Sequence, residues 1–283
     1  MLIAQITDTH LGFGPAGQDY NETRLLRVLE EIVDGPNRPD LMLVTGDLTE
    51  HGDAASYRRL ADLFERCPFP CHVLPGNHDD RTALSRAFPD VPTPGGFVQY
   101  AVDGLAGLRI LMLDTTEPGR TGGAFCAARA GWLRDRLDEA PDTPTLIAMH
   151  HPPIDVGIEW IRTDRDEAWV RRFADAIEGH GQVRVILSGH VHRPIVSSWR
   201  GATAIICPAT APGVALDLRP MAIDTPDQRA LVVADRPGYA LHRWHGETLT
   251  SFFAFAEDAA PGGRFDARMQ PMIRAMAAER SAG

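Results

Sequence analysis

The chain has 283 residues, 44% of them hydrophobic and 23% charged, a balance that supports one large folded domain or one domain with a small appendage. Its formal net charge of -10 at pH 7 argues against a nucleic-acid polymer as partner, because such polyanions are held on positive surfaces. No run of eighteen apolar residues could cross a bilayer, the N-terminus lacks a signal-peptide pattern, and Cys67, Cys71, Cys126 and Cys207 have neither disulfide-framework nor zinc-knuckle spacing. These features predict a soluble, cytoplasmic protein with reduced thiols and no membrane partner.

Short runs rich in Val, Ile and Leu alternate with stretches of helical period, the pattern of buried strands covered by helices. Strands are predicted over 2–7, 41–45, 72–75, 98–102, 109–114, 146–150 and 183–188, each closed by a polar or Gly/Pro turn. Helices are predicted over 22–33, 54–66, 127–139 and 167–180; in the first, Leu25, Leu26, Leu29, Ile32 and Val33 recur at roughly helical spacing. Beyond Pro194 the helical period fades. The runs 195–199, 203–207, 214–218, 230–234, 239–244 and 249–255 predict a mostly antiparallel β C-terminal part. The fold class is therefore α/β, a sandwich of two sheets with helices outside. The main domain is expected over 1–260, with a C-terminal extension over 261–283.

Five polar clusters follow apolar strands: Asp8-Thr9-His10, Gly46-Asp47, Gly76-Asn77-His78-Asp79, His150-His151-Pro152-Pro153 and Gly189-His190-Val191-His192. Loops at strand ends in layered α/β folds converge on one crevice, so these groups can meet there. A lone Asp-x-His, or any single one of eleven histidines, carries little weight, and Asn-His-Asp can be a helix cap. All five clusters together carry much more. Asp8, His10, Asp47, Asn77, His150, His190 and His192 are seven oxygen and nitrogen donors, more than one ion needs, with Asp47 placed to be shared between two. Their chemistry suits divalent Mn, Fe, Zn or Co and leaves the metal pair open. In an extended segment Asp8 and His10, at i and i+2, face the same way. Gly46, Gly76 and Gly189 precede the ligands where close backbone approach is needed.

With these blocks in this order, residues 1–200 resemble the calcineurin-like metallophosphoesterase superfamily, and the wording Gly76-Asn77-His78-Asp79-Asp80 and Met149-His150-His151-Pro152-Pro153 is similar to its bacterial class III cyclic nucleotide phosphodiesterases and glycerophosphodiesterases. The resemblance implies a four-layer αββα sandwich. It implies one metal ion on Asp8, His10, Asp47 and His192 and a second on Asp47, Asn77, His150 and His190. It further implies catalytic roles for His78, beside the phosphate, and for Asp79, as the group that orients His78. Substrate contacts are expected from Asn77, His78 and His151, with His151 readable also as packing or as a metal-site orienter, and Arg81 and Arg193 are open to phosphate or surface roles. The implied reaction is two-metal hydrolysis of a small-molecule phosphodiester, first a 3',5'-cyclic nucleotide. Glycerophosphodiesters or other small phosphoesters come second, and a non-catalytic scaffold on the same fold is a distant third. Some glycerophosphodiesterase relatives carry a further His after the last block, where this chain has Pro208-Ala209-Thr210-Ala211-Pro212-Gly213, so a smaller and more apolar rim is expected. A homo-oligomer is in keeping with the resemblance, with Phe252, Phe253 and Phe255 available to an interface or to the core.

Overall fold

The computed structural model describes residues 1–14, 18–105, 107–256 and 261–281. Its first half runs β1 (Leu2–Ile6), α1 (Tyr20–Asp34), β2 (Leu41–Thr45), α2 (Ala54–Phe64), β3 (Cys71–Leu74), α3 (Arg81–Ala87), β4 (Tyr100–Leu105), β5 (Leu108–Leu113), α4 (Ala127–Asp138) and β6 (Thr145–Met149). The second half continues through α5 (Ala168–Ile177), β7 (Val183–Ser188), β8 (Ile195–Trp199), β9 (Ala202–Ile206), β10 (Gly213–Val214), β11 (Val232–Val233), β12 (Gly238–His245), β13 (Thr248–Phe255) and α6 (Gln270–Ser281).

Two large sheets form, in the orders β13-β12-β1-β2-β3 and β4-β5-β6-β7-β9-β8. In the first, β1, β2 and β3 are parallel; in the second, β5, β6, β7 and β9 are parallel. The alternation of side chains along a strand explains the layering. On β6, Leu146 and Ala148 join the core that includes the first sheet, whereas Ile147 and Met149 join a separate core beneath α4 and α5. On β5, Ile110 and Met112 divide in the same way from Leu111 and Leu113. Leu25, Val28 and Ile32 of α1 and Leu60 of α2 cover the other sheet. The result is the expected αββα arrangement.

Helix starts are chemically marked: Asp19 accepts from the Asn21 and Glu22 N–H groups ahead of α1, and Asp53 from those of Ala55 and Ser56 ahead of α2. Beneath the carboxyl ends of the strands, a buried polar chain joins the sheets. The Gln5 amide donates to Thr45 Oγ1 at 2.9 Å and to the Ser188 carbonyl at 3.2 Å, while Gln5 Oε1 meets His242 Nε2 at 3.0 Å.

Several expectations need correction. The strands predicted over 214–218 and 230–234 shrink to the two-residue pair β10 and β11, which ladder only with each other. Without a larger sheet to join, Leu216, Leu218 and Ile223 remain exposed. The C-terminal part is mostly antiparallel, as expected, the exception being β9, which runs parallel to β7. Helix α3 was not expected; at 7 residues it is too short to show a clear period. Helix α6 lies in the predicted extension, and the boundary expected at Ala260 falls outside the described residues. Phe253 packs against the first core, whereas Phe252 is exposed. No helix among the described residues is long and apolar enough to cross a membrane.

Candidate metal centre

Every predicted site residue lies just beyond a strand: Asp8 and His10 after β1, Asp47 after β2, Asn77, His78 and Asp79 after β3, His150 and His151 after β6, and His190 and His192 after β7. The first two loops are zipped together, with Asp8 N donating to Gly46 O and His10 N to Asp47 O, both at 3.0 Å. Their spacing predicted that Asp8 and His10 face the same way along an extended backbone, but the backbone at these two residues is not extended. Both take left-handed φ, as do Asp47, His190 and His192; these five account for all but two of the left-handed non-glycine residues among those described. Such a conformation costs an L-residue roughly 1–2 kcal/mol, and the surrounding structure must hold it in place. The strain turns successive side chains toward one point.

Close packing leaves no room for side chains at two neighbouring positions. A Cβ on Gly46, itself at φ 92°, would lie 2.4 Å from His150 Nδ1, and one on Gly189 would lie 2.7 Å from Asp8 Oδ2 and closer still to Thr7.

Three histidines are aimed from behind. Nδ1 of His10 meets Glu50 Oε2 at 2.7 Å, Nδ1 of His150 meets Thr45 O at 2.9 Å, and Nδ1 of His192 meets Pro212 O at 2.8 Å. An acceptor at Nδ1 places the proton there, so the neutral ring turns an Nε2 lone pair inward. Those inward atoms crowd other donors. His192 Nε2 lies 3.3 Å from Asp8 Oδ1, and His150 Nε2 lies 3.3 Å from Asp47 Oδ2 and 3.2 Å from Asn77 Oδ1. His10 Nε2 and His192 Nε2 are 3.2 Å apart. Lone pairs facing one another and facing carboxylates repel, so this donor set fits cations placed between them. The ligating atoms of Asp8, His10 and His192 lie within 4.8 Å of one another, as do those of Asp8, Asp47 and His150 and those of His150, His151 and His190.

The electrostatics say the same. Burial alone would raise the Asp47 carboxyl, yet His150, His10 and His78 hold it well below the ordinary carboxylate range; His192 and His150 likewise lower buried Asp8. Burial pulls the His150 imidazole down, but Asp47 and Asp8 reverse this and push it up to about 9. His190, buried beside His150, is pulled down to about 3 and stays neutral at pH 7, the form a metal ligand needs. The crevice thus stabilises positive charge among its carboxylates.

The remaining residues fall in different places. His78 is partly exposed, and its Nδ1 lies 3.0 Å from the Glu50 carbonyl oxygen and 3.8 Å from Glu50 Oε2. Asp79 was expected to orient His78, but its oxygens are occupied elsewhere. They accept from Leu48 N, Thr49 N, Gly76 N and the Tyr57 hydroxyl, which ties the loop after β2 to the loop after β3. His151, open to roles in substrate contact, orientation of the metal site or packing, lies behind the crevice. Its ring is fully buried, with Nδ1 2.8 Å from Thr115 Oγ1 and Nε2 3.1 Å from Thr121 O, so it packs behind His150 and His190. Arg81 pairs with both oxygens of Asp114 at 2.6 and 2.8 Å, and Arg193 donates to Val214 O at 2.6 Å.

Sequence reasoning missed Glu50, which backs both His10 and His78. Its place three residues after Asp47 was the available signal. The carbonyls of Thr45 and Pro212 leave no sequence signal at all, because every residue has one.

A cavity of about 640 Å³ opens over the cluster. Asp47, Asn77, His78, His190 and His192 form its polar floor, while Phe13, Tyr20, Trp160, Pro212 and Val214 contribute apolar wall. The rim supplied by the Pro208-to-Gly213 loop is apolar, as the sequence suggested.

A family profile described as calcineurin-like phosphoesterase matches residues 1–194. The probable glycerophosphodiester phosphodiesterase GpdQ of Arcobacter nitrofigilis is 29% identical, over 92% of this chain and 96% of its own. A probable cyclic nucleotide phosphodiesterase of Synechococcus sp. is 36% identical, over 75% of this chain and 81% of its own. Among solved structures, a dimetal phosphatase from Danio rerio superposes with a TM-score of 0.57 at 14% identity, covering 91% of this chain and 99% of that one. That likeness is one of fold.

Proposed function

Since the chain belongs to the calcineurin-like phosphoesterase family, we propose that it is a metal-dependent hydrolase of small-molecule phosphodiesters, acting first on a 3',5'-cyclic nucleotide. The observation that carries the reading is the convergence of inward imidazole nitrogens on Asp8 and Asp47, each ring braced by an acceptor behind it. In this reading Asp8, His10, Asp47 and His192 would hold one divalent ion and Asp47, Asn77, His150 and His190 a second, with Fe, Mn, Zn and Co as the candidates. Ions bound there would polarise the phosphate oxygens and acidify water for attack on phosphorus.

The protein's own groups have separate tasks. Glu50 fixes the His10 ring and places His78 over the cavity floor. With Nδ1–H donating to the Glu50 carbonyl, the doubly protonated His78 ring would carry its second proton on Nε2, where it can donate to the phosphate or pass to the leaving oxygen and leave the ring neutral, a form of help typically worth about 10²–10⁴-fold. Asp79 is a positioning residue that holds the two loops in register, and His151 supports His150 and His190 from within. The apolar wall keeps water off the organic part of the substrate and suits a nucleobase better than glycerol. For location, the proposal is the cytoplasm.

A second reading, hydrolysis of glycerophosphodiesters, is favoured by one observation. The Arcobacter relative aligns with 92% of the chain, against 75% for the Synechococcus protein. The test is a hydrolysis panel on chelator-treated protein resupplied with Mn, Fe, Co or Zn. It compares 3',5'- and 2',3'-cyclic nucleotides, glycerophosphodiesters, bis-p-nitrophenyl phosphate and p-nitrophenyl phosphate, with His78→Ala as control. The proposal expects metal-restored turnover highest on 3',5'-cyclic nucleotides and greatly reduced in the variant. A wide preference for glycerophosphodiesters overturns the substrate, and no turnover with any metal overturns the enzyme.

A further inference from the structure

Large aromatic side chains are rarely left in water without cause, and here their exposure is concentrated. Among the described residues, the strongly exposed Phe, Tyr and Trp are Phe13 (69%), Tyr20 (54%), Trp160 (40%), Phe252 and Phe265. The first three line the same cavity, above the metal-ligand cluster. They come from both halves of the sandwich: Phe13 and Tyr20 from the segment that follows β1 in one sheet, Trp160 from the segment between β6 and α5 in the other. No periodic pattern puts them there, and none of the three joins a hydrophobic core cluster.

Trp160 has a rigid base. Ile158, two residues before it, is buried in a small core with Ile154, Val191 and Ile206, and Thr163, three residues after it, is buried as well. The indole is thus carried on an anchored turn while remaining open to solvent. Val191 lies between His190 and His192, so the same small core anchors both the Trp160 turn and the ligand loop after β7.

We propose that Trp160, with Phe13 and Tyr20 across the rim, forms a stacking surface for the planar base of the substrate and makes this site selective for purine nucleotides over aliphatic phosphodiesters. The inference rests on the proposed cyclic nucleotide reaction and adds the group that recognises the base. Stacking on an aromatic side chain needs no particular pattern of hydrogen bonds, because every base has a π face; its loss on alanine substitution corresponds to roughly 5- to 150-fold in affinity. A purine offers more stacked area than a pyrimidine, and an aliphatic alcohol offers no face. Trp160 acts on binding, since its ring sits at the wall and not among the polar groups of the floor.

The test is equilibrium binding by calorimetry, in excess Mn(II), of AMP and of ribose 5-phosphate, which differ only in the base. The ratio of their dissociation constants isolates the base in wild type, Trp160→Ala, Trp160→Phe and Phe13→Ala. In wild type AMP binds roughly 5- to 150-fold more tightly than ribose 5-phosphate; the ratio collapses toward one in Trp160→Ala and is largely kept in Trp160→Phe. Ribose 5-phosphate binding stays unchanged in all variants, which shows that the floor is intact. A wild-type ratio near one, or a ratio unmoved in Trp160→Ala, overturns the stacking surface. If the ratio behaves as expected but cyclic nucleotides are not hydrolysed, the surface stands and the proposed reaction falls.

Discussion

The crevice at the carboxyl ends of β1, β2, β3, β6 and β7 and the segment between β10 and β11 are both irregular backbone, yet they are built by opposite means. In the crevice, five left-handed residues are held by short backbone bonds, buried imidazoles with acceptors behind them, and glycines in contact with side chains. In residues 215–231, Leu216, Leu218 and Ile223 face water, and the charged pairs Asp217–Arg219 and Asp227–Arg229 span only two residues, with the mostly buried Arg229 also donating to the nearby Arg219 and Pro220 carbonyls. Irregular structure is rigid where tertiary contacts over-determine it and weakly specified where only local ion pairs act. Arg24 joins the two regions. Buried on α1, it donates to the carbonyls of Thr210 and Ala211 beside the crevice and to Asp235 O just after β11, the strand that closes the outer segment.

Substitutions ranked by this contrast have unequal effects. Gly189→Ala forces a methyl group into Thr7 and Asp8, and is expected to destabilise the protein by about 3 kcal/mol and to abolish diester hydrolysis; denaturant unfolding and turnover check both. Arg24→Met leaves buried carbonyls without their donor and should cost about 2–3 kcal/mol, with hydrolysis reduced because the loop bearing the Pro212 carbonyl loosens behind His192. An Arg24→Met protein of wild-type stability would dissolve the link between the two regions.

Acid should act on the interior beneath the crevice. Burial holds the His242 imidazole down at about 4, so the folded protein keeps it neutral where the unfolded chain, at about 6.5, takes up a proton. The unfolded state then binds more protons between those values, and stability is full above about pH 6.5 and is lost as pH falls toward 4. This group alone should remove about 2 kcal/mol between pH 7 and pH 5. Unfolding curves at the two pH values should show His242→Gln with a correspondingly smaller drop than wild type. The smallest effect belongs to the outer segment, where the substitution Arg219→Ala, at an exposed side chain paired only with Asp217, should leave the melting temperature and turnover unchanged. A large fall in either would mean that the segment is coupled to the crevice by more than Arg24.

The convergence was legible because each candidate ligand follows directly on a short apolar strand, so chain order and strand ends were enough to bring Asp8, Asp47, Asn77, His150 and His190 together. The layers were legible for the same reason: β5 and β6 read as continuous apolar runs buried on both faces. What could not be read depends on contacts across the fold. The left-handed turns at Asp8 and His10, the Pro212 carbonyl behind His192 and the true partners of Asp79 follow from loops meeting in space. The partners of the buried His151 ring, Thr115 and the Thr121 carbonyl, likewise come from distant loops. The runs 214–218 and 230–234 have strand-like composition, but extended residues need a sheet to join, and here they found only each other. Trp160 escaped notice because a loop aromatic carries no periodic signal.

In the proposed function, seven converging side chains form one site for two ions sharing Asp47. Metal stoichiometry measured by anomalous diffraction and titration calorimetry on chelator-treated, manganese-resupplied protein tests it directly. Two ions per chain are expected, one beside Asp8, His10 and His192 and one beside Asn77, His150 and His190, with both weakened in Asp47→Asn. A single ion, none, or two ions bound unchanged in Asp47→Asn would contradict it.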